Sequence, residues 1–298
     1  MASVLLKNRT RSPADFARIT VAPLTGAIGA EIRGVDLSRP LDDETKEEIL
    51  AAFHDYMVVY FPDQPLDNAQ HQSFAHLFGT DLIKIPQLTS LEDAPFVQIV
   101  AREAAETESY VVGGNWHTDS TWMERPPLCV VMRAVEVPDY GGDTAFSNMY
   151  LAYEMLSPKL KDLLSQLNGV HSASFLFGSA YLQRKKRYNR TFVDQELGDR
   201  ETIHPVVCTH PGSGRKYLFV NRIFVKRFDG MTEAESKPLL EFLFEHADRP
   251  EFSCRVRWRK NQVLVWDNRC THHKAIADYP GMARYMLRVT VEGGRPAA

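Results

Sequence analysis

The chemistry of this chain is concentrated in two short stretches. Asn115-Trp116-His117-Thr118-Asp119 holds a His-x-Asp pair, and Trp266-Asp267-Asn268-Arg269-Cys270-Thr271-His272-His273 brings neighbouring histidines from far downstream. Two imidazoles and one carboxylate cover half of an octahedral Fe(II) and leave the rest open, as oxygen activation on a metal requires. If Trp116–Ser120 is extended, His117 and Asp119 stand at i and i+2 on one face and can take adjacent coordination positions. The third ligand is expected at His273, which follows the apolar run Val263-Leu264-Val265-Trp266 after a short turn. His272 is its rival, because neighbours on a strand point to opposite faces and spacing does not choose between them.

A second constellation lies eleven residues further on. In Arg284-Tyr285-Met286-Leu287-Arg288-Val289-Thr290-Val291 the two arginines are at i and i+4, on one strand face and roughly 13 Å apart. Two guanidiniums entering an apolar cavity are costly unless each meets an anion. A planar fork suits a carboxylate, so the pair points to two bound acids, one of them a cosubstrate. The competing reading pairs both arginines with protein carboxylates at the barrel rim. Thr144, after the turn Tyr140-Gly141-Gly142-Asp143, offers a hydroxyl that can share a carboxylate with Arg284. Trp122, Phe175, Phe177 and Phe224 are candidate aromatic walls for a substrate, and His171, His204 and His210 candidate outer groups.

The elements that must position these groups are mostly strands. Ile19–Leu24 and Ala30–Val35 read as strands, then a helix over Asp43–Asp55 capped by Asp42, and an all-apolar strand over Met57–Phe61. Asp67 is expected to cap a second helix running through Phe78. Further strands are expected over Phe96–Val100, Cys129–Val135, Asp143–Ser147, Thr202–Thr209, Tyr217–Val220, Ser253–Trp258, Gln262–Trp266 and Arg284–Val291. Two short helices broken at Ser157-Pro158, and one over Glu233–His246, complete the pattern. Strands at this density with helices around them suit a mostly β, double-sheet jelly roll with a mouth for a metal. Residues 175–200, with the basic run Arg184-Lys185-Lys186-Arg187 and little periodicity, read as a lid-like insertion. No repeat or composition break divides residues 1–298, so one domain is expected, with about 1–15 flexible.

Composition narrows the partners. A net charge of −3 offers no footprint for nucleic acid or an anionic membrane, and 44% hydrophobic with 24% charged residues is ordinary for a globular enzyme. Cys129, Cys208, Cys254 and Cys270 are widely spaced, without zinc-like or redox-pair spacing, and are expected to be reduced and buried. No apolar stretch reaches signal-peptide or transmembrane form. A cytoplasmic enzyme for a small anionic metabolite, assembled as a homo-oligomer, is the expectation.

Ordered along the chain, Gly34-Val35-Asp36-Leu37, Asn115 to Asp119, Gly141-Gly142-Asp143-Thr144, His204-Pro205-Val206-Val207, Thr209-His210-Pro211, and Trp266 through His273 to Arg284 and Arg288 make a pattern. It resembles the taurine dioxygenase/TfdA family of Fe(II)- and 2-oxoglutarate-dependent dioxygenases, from about Ile19 to Gly293. The resemblance implies a double-stranded β-helix, iron on His117, Asp119 and His273, 2-oxoglutarate on Thr144 and Arg284, and a substrate anion on Arg288. It also implies that O₂ is consumed and that decarboxylation to succinate is coupled to hydroxylation of a C–H bond. The Phe78-Gly79-Thr80-Asp81-Leu82-Ile83 segment lacks the histidine that taurine enzymes carry there, and Gly113 replaces a substrate-contacting asparagine, which argues against taurine. His117 to Thr121, Val131-Met132-Arg133-Ala134 and Gly230-Met231-Thr232 look closest to the (R)-selective aryloxypropionate enzymes, in which hydroxylation beside the ether oxygen releases a phenol. A sulfonate or alkyl sulfate dioxygenase is the alternative within the family. A jelly-roll binding protein without catalysis and a zinc hydrolase are the alternatives outside it.

Overall fold

The computed structural model describes residues 10–105, 113–174 and 195–298. From the N-terminus, β1 (Thr20–Pro23) and β2 (Ala30–Arg33) form a hairpin, and α1 (Asp43–Tyr56) leads into β3 (Val58–Phe61). Next come α2 (Asn68–Ala75), β4 (Leu82–Ile83), β5 (Val97–Arg102), β6 (Pro127–Glu136) and β7 (Thr144–Asn148). The helices α3 (Met149–Glu154) and α4 (Pro158–Leu164), β8 (Asn168–Ser172) and α5 (Gln195–Asp199) follow. The chain continues through β9 (Glu201–Pro205), β10 (Val207–Thr209), β11 (Lys216–Leu218), β12 (Val225–Phe228) and α6 (Glu233–Ala247). It ends with β13 (Ser253–Val256), β14 (Val263–Asp267), β15 (Thr271–Ala275) and β16 (Arg284–Glu292).

One sheet runs β1-β2-β3-β14-β6-β16-β4, with β5 added on β16; facing it are the smaller sheets β13-β7-β15 and β12-β8-β9 and the β10-β11 pair. This is the expected jelly-roll core with flanking helices. Its central strands are apolar at consecutive positions because both faces are covered. Val130, Met132, Leu264 and Trp266 pack inward with Phe146 of the opposing sheet, while Val131, Val263 and Val265 pack outward with Phe53 of α1 and Phe74 of α2. Such runs read as fully buried strands, not half-exposed ones.

Several boundaries differ from the sequence reading. The second helix ends at Ala75, and the chain to Phe78 continues only as turns, held by Leu77 N to Phe74 O and Phe78 N to Ala75 O. The strand expected over Thr202–Thr209 breaks at Val206, whose amide crosses to the Leu167 carbonyl and whose carbonyl accepts from Phe219. Strands β4, β8, β12 and β15 went unforeseen. They are short, and β8 and β15 are rich in His, Ser, Thr and Gly, so they carry no apolar period. The expected loose N-terminus holds at most for residues outside those described. Thr10 and Arg11 donate backbone hydrogen bonds to Asp55, and Pro13–Asp15 forms a 3-10 turn. The proposed lid at 175–200 lies outside the described residues except for α5 and Arg200.

α2 packs on β6 and β16, the strands behind the candidate site. Its Asp67 cap accepts the Gln70 amide at 2.7 Å, while the Gln70 side chain answers to the Asp67 amide at 2.8 Å. Asp67→Ala should cost about 1 kcal/mol of stability, read as a lower urea midpoint with an unchanged slope. A midpoint equal to wild type would show that packing alone holds this turn.

Candidate active site

β15 and the segment before Trp122 are joined by a reciprocal pair of backbone bonds, with Ala275 N also donating to the Gly113 carbonyl at 2.8 Å. His117 N donates to His273 O at 3.0 Å and His273 N donates to His117 O at 2.7 Å. The expected strand over Trp116–Ser120 does not form. His117 makes an isolated bridge, and the chain then turns, with Ser120 at φ 51°. His117 and Asp119 therefore converge through a turn rather than through strand alternation. The turn is clamped from the other side: Asn268 Oδ1 accepts the Asp119 amide at 2.9 Å and Asn268 Nδ2 donates to the Asp119 carbonyl at 3.0 Å. Thr118 Oγ1 adds a bond to the Thr271 carbonyl at 2.9 Å.

His117, Asp119 and His273 offer ligand atoms that all lie within 4.8 Å of one another. Asp119 Oδ1 is 3.3 Å from His117 Nε2 and 3.7 Å from His273 Nε2. His117 Nδ1 donates to the Asn115 carbonyl at 2.7 Å, which orients the ring with Nε2 toward the Asp119 carboxylate, the nitrogen a metal would take. Burial pushes His273 well below the usual imidazole range, with His117 adding to the effect. Burial works to raise the Asp119 carboxyl, but Arg288 and the two histidines outweigh it and hold it well below the ordinary range. Two imidazoles and a carboxylate held ionised are the donor set a divalent iron takes, and the residues fit it.

His273 and His272 separate cleanly. His273 lies opposite Phe146 in the β15–β7 register and packs against the Trp266 ring at 4.9 Å between centroids. His272 points away, with Nε2 2.7 Å from the Val220 carbonyl. The third histidine is also on a strand of its own, not merely after β14. His171, His204 and His210 stand outside the cluster, bonded to Thr121, the Met123 carbonyl and Asp267 respectively. Asp267 is also gripped by Arg269, so the His54, His210 and Asp267 group is a buried carboxylate with its counter-ion already in place.

On β16, Arg284, Met286, Arg288 and Thr290 share the inward face, and Leu287, Val289 and Val291 pack outward. The two arginines are not equivalent. Arg288 Nη2 donates to Asp119 Oδ2 at 3.0 Å and Nε to Thr290 Oγ1 at 3.2 Å. The expectation that Arg288 is a buried charge lacking a protein partner is therefore corrected: Asp119 is that partner. Arg284, 7% exposed, makes no ion pair among the described residues, and its Nε is buried without a hydrogen bond. Burial pulls its guanidinium pKa down, against the pull of Tyr279 and Asp143.

Beside Arg284 stands a residue the sequence reading passed over. Trp258 donates Nε1–H to Thr144 Oγ1 at 2.9 Å, and the Arg284 guanidinium lies 5.7 Å from its ring centroid. The signal was the alternation of Cys254, Val256 and Trp258 on one face of an otherwise charged segment. Gly141 and Gly142 set Thr144 in place. Both have positive φ, and a Cβ on Gly141 would lie 2.7 Å from the Asp278 carbonyl oxygen. Trp122 and Phe224, 4% and 3% exposed, pack together with Ala173 as a separate buried group. Phe175 and Phe177 lie outside the described residues.

Asn268→Ala removes both bonds that hold the Asp119 backbone. It should weaken divalent metal binding at this cluster about 10–100-fold, measured by titration with Co(II), without loss of secondary structure. Undiminished affinity would show that the turn holds itself.

Comparison with known proteins places these features. Residues 20–290 match the taurine catabolism dioxygenase TauD, TfdA family. A sulfate ester dioxygenase of Pseudomonas putida, alpha-ketoglutarate-dependent, is 35% identical over 283 residues, 93% of this chain and 91% of the relative. An alpha-ketoglutarate-dependent 2,4-dichlorophenoxyacetate dioxygenase of Cupriavidus pinatubonensis is 32% identical over 283 residues, 91% of this chain and 96% of the relative. The crystal structure of a taurine dioxygenase from Burkholderia xenovorans superimposes with a TM-score of 0.79 at 35% identity, covering 94% of this chain and 93% of that one. Among the described residues no helix is long and apolar enough to cross a membrane. Four free, buried cysteines, a jelly-roll core and a His-Asp-His cluster accord with that likeness, and the chain belongs to the TauD/TfdA family of Fe(II)- and 2-oxoglutarate-dependent dioxygenases.

Proposed function

We propose that His117, Asp119 and His273 hold Fe(II), that Arg284 with Thr144 binds the far carboxylate of 2-oxoglutarate, and that a small organic anion is oxidised beside them. The observation that carries this reading is Arg284. A buried guanidinium without a counter-ion among the described residues calls for an anion, and its planar fork suits a carboxylate. The metal and 2-oxoglutarate supply the oxidising step, which consumes O₂, releases CO₂ and succinate, and hydroxylates a substrate C–H bond. The protein contributes geometry and charge. Asn115 fixes the His117 tautomer, Asn268 fixes the Asp119 turn, and Arg288 engages the Asp119 oxygen that the histidines do not face. Trp258 donates to the Thr144 oxygen, which orients the Thr144 hydroxyl proton toward another acceptor such as a bound carboxylate.

For the substrate we favour an aryloxyalkanoate cleaved at its ether bond. Support comes from Trp122, three residues beyond Asp119 in the chain and packed with Phe224, and from the 2,4-dichlorophenoxyacetate relative. Arg288 has N–H groups beyond the two engaged by Asp119 and Thr290, so it can hold a substrate anion while keeping Asp119. The sulfate ester relative favours a second reading, an alkyl sulfate in the same place.

Arg284→Lys keeps the charge but loses the fork. It should raise the Michaelis constant for 2-oxoglutarate roughly ten- to a hundredfold, the loss of about 1.5–3 kcal/mol expected for a charge-assisted bond, while Asp119→Ala should abolish turnover. Iron-dependent oxidation at full rate without any 2-oxoacid would sink the proposal. A panel of phenoxyalkanoates and alkyl sulfates, scored for released phenol against released sulfate, decides the substrate.

A further inference from the structure

The strip that carries Val256 and Trp258 inward turns a different face outward. Burial alternates along it, and Arg255, Arg257 and Arg259 are all exposed. Arg255 is engaged by Asp143 at 2.5 Å and Asp278 at 3.0 Å. Arg257 makes one bond, to the Asp139 carbonyl at 2.9 Å, and neither Arg257 nor Arg259 has an ion-pair partner among the described residues. Across from them, the Tyr60 hydroxyl and Arg33 both occupy Glu31, the carboxylate that Arg259 feels electrostatically. Between lies a cavity of about 200 Å³ lined by these three arginines, Tyr60, Leu24 and Gln262.

Gln262 supplies an independent observation. It is 1% exposed, yet its Nε2 is buried without any hydrogen-bond partner. Gln262 lines this cavity, and a buried amide donor is costly unless an acceptor meets it. Two exposed guanidiniums without an ion-pair partner among the described residues fix the sign of that acceptor, and the volume limits its size. The net charge of −3 provides no general basic field, so the attraction is local.

We infer that this cavity binds a small tetrahedral oxyanion, phosphate or sulfate in type, with Gln262 Nε2, Arg257 and Arg259 as donors. Its lining shares no residue with Arg284, Thr144 and Trp258, the groups proposed around 2-oxoglutarate. The ligand is the free ion or the oxyanion end of a small ester.

Calorimetric titration of the Fe(II)-loaded enzyme with inorganic phosphate, in a buffer free of both anions and with 2-oxoglutarate saturating, tests this. One saturable site is expected, weakened at least tenfold in Arg259→Ala and in Gln262→Leu, with turnover at saturating 2-oxoglutarate unchanged in both. Should Gln262→Leu fail to fold by circular dichroism, Arg257→Ala takes its place with the same expectation. Competition by methyl phosphate as tight as phosphate assigns an ester, and its failure to compete assigns the free ion. No saturable binding, equal binding in the variants, or binding that vanishes when 2-oxoglutarate saturates would overturn the inference. Loss of all 2-oxoglutarate turnover in wild type would instead count against the proposed function, since phosphate binding does not depend on it.

Discussion

Two backbone hydrogen bonds between His117 and His273 are the constraint on which the site depends. Each residue satisfies both main-chain groups of the other, so the two imidazoles start from a fixed separation before any side-chain torsion is chosen. Their ring centroids lie 4.2 Å apart as a result. The sheets on either side serve this pair. β15 is held in register on β7, β14 ends at Asp267, and Asn268 just beyond it reaches across to the Asp119 turn. A metal site on so short a bridge inherits its precision from the barrel rather than from the turn that carries Asp119.

Charge is arranged with the same economy. Asp119 faces two histidines through one oxygen and Arg288 through the other, so its ionised form is favoured from both sides. Arg284, one turn of the inward pattern away on β16, has aromatic and hydroxyl neighbours but no carboxylate within ion-pair range among the described residues. The two guanidiniums thus divide into one compensated by the protein and one left for a ligand. That difference, more than their shared type, sets Arg288, held by Asp119, apart from Arg284.

Much of this was legible in the residues. The strands Val263–Asp267 and Arg284–Glu292, the caps Asp42 and Asp67, and the helix after Thr232 announced themselves by period and by turn chemistry. The structure brings together His117, Asp119 and His273, candidates offered by residue type and order, with His273 preferred over His272 on the family resemblance alone. What stayed hidden was whatever depends on partners distant in the chain. The His117 bridge looks like a strand locally, because nothing in Trp116–Ser120 reveals that only one residue finds a partner. Asp119 as the counter-ion of Arg288 is a contact across most of the chain, invisible to spacing. Trp258 was read as a strand end because its role appears only when Thr144 and Arg284 arrive beside it. Residues 175–194 remain known only as a basic, aperiodic stretch.

The strict alternation on β16 has an evolutionary consequence. Leu287, Val289 and Val291 answer to the helices, whereas Arg284, Met286, Arg288 and Thr290 answer to whatever occupies the mouth. Selection for a new substrate can therefore act on the inward face around Arg288, and selection for folding on the odd-numbered set, with little interference between them. A lineage built on such a strand can diversify its chemistry by substitutions that the scaffold barely registers, and relatives named for sulfate esters and for chlorinated phenoxyacetates can share one architecture.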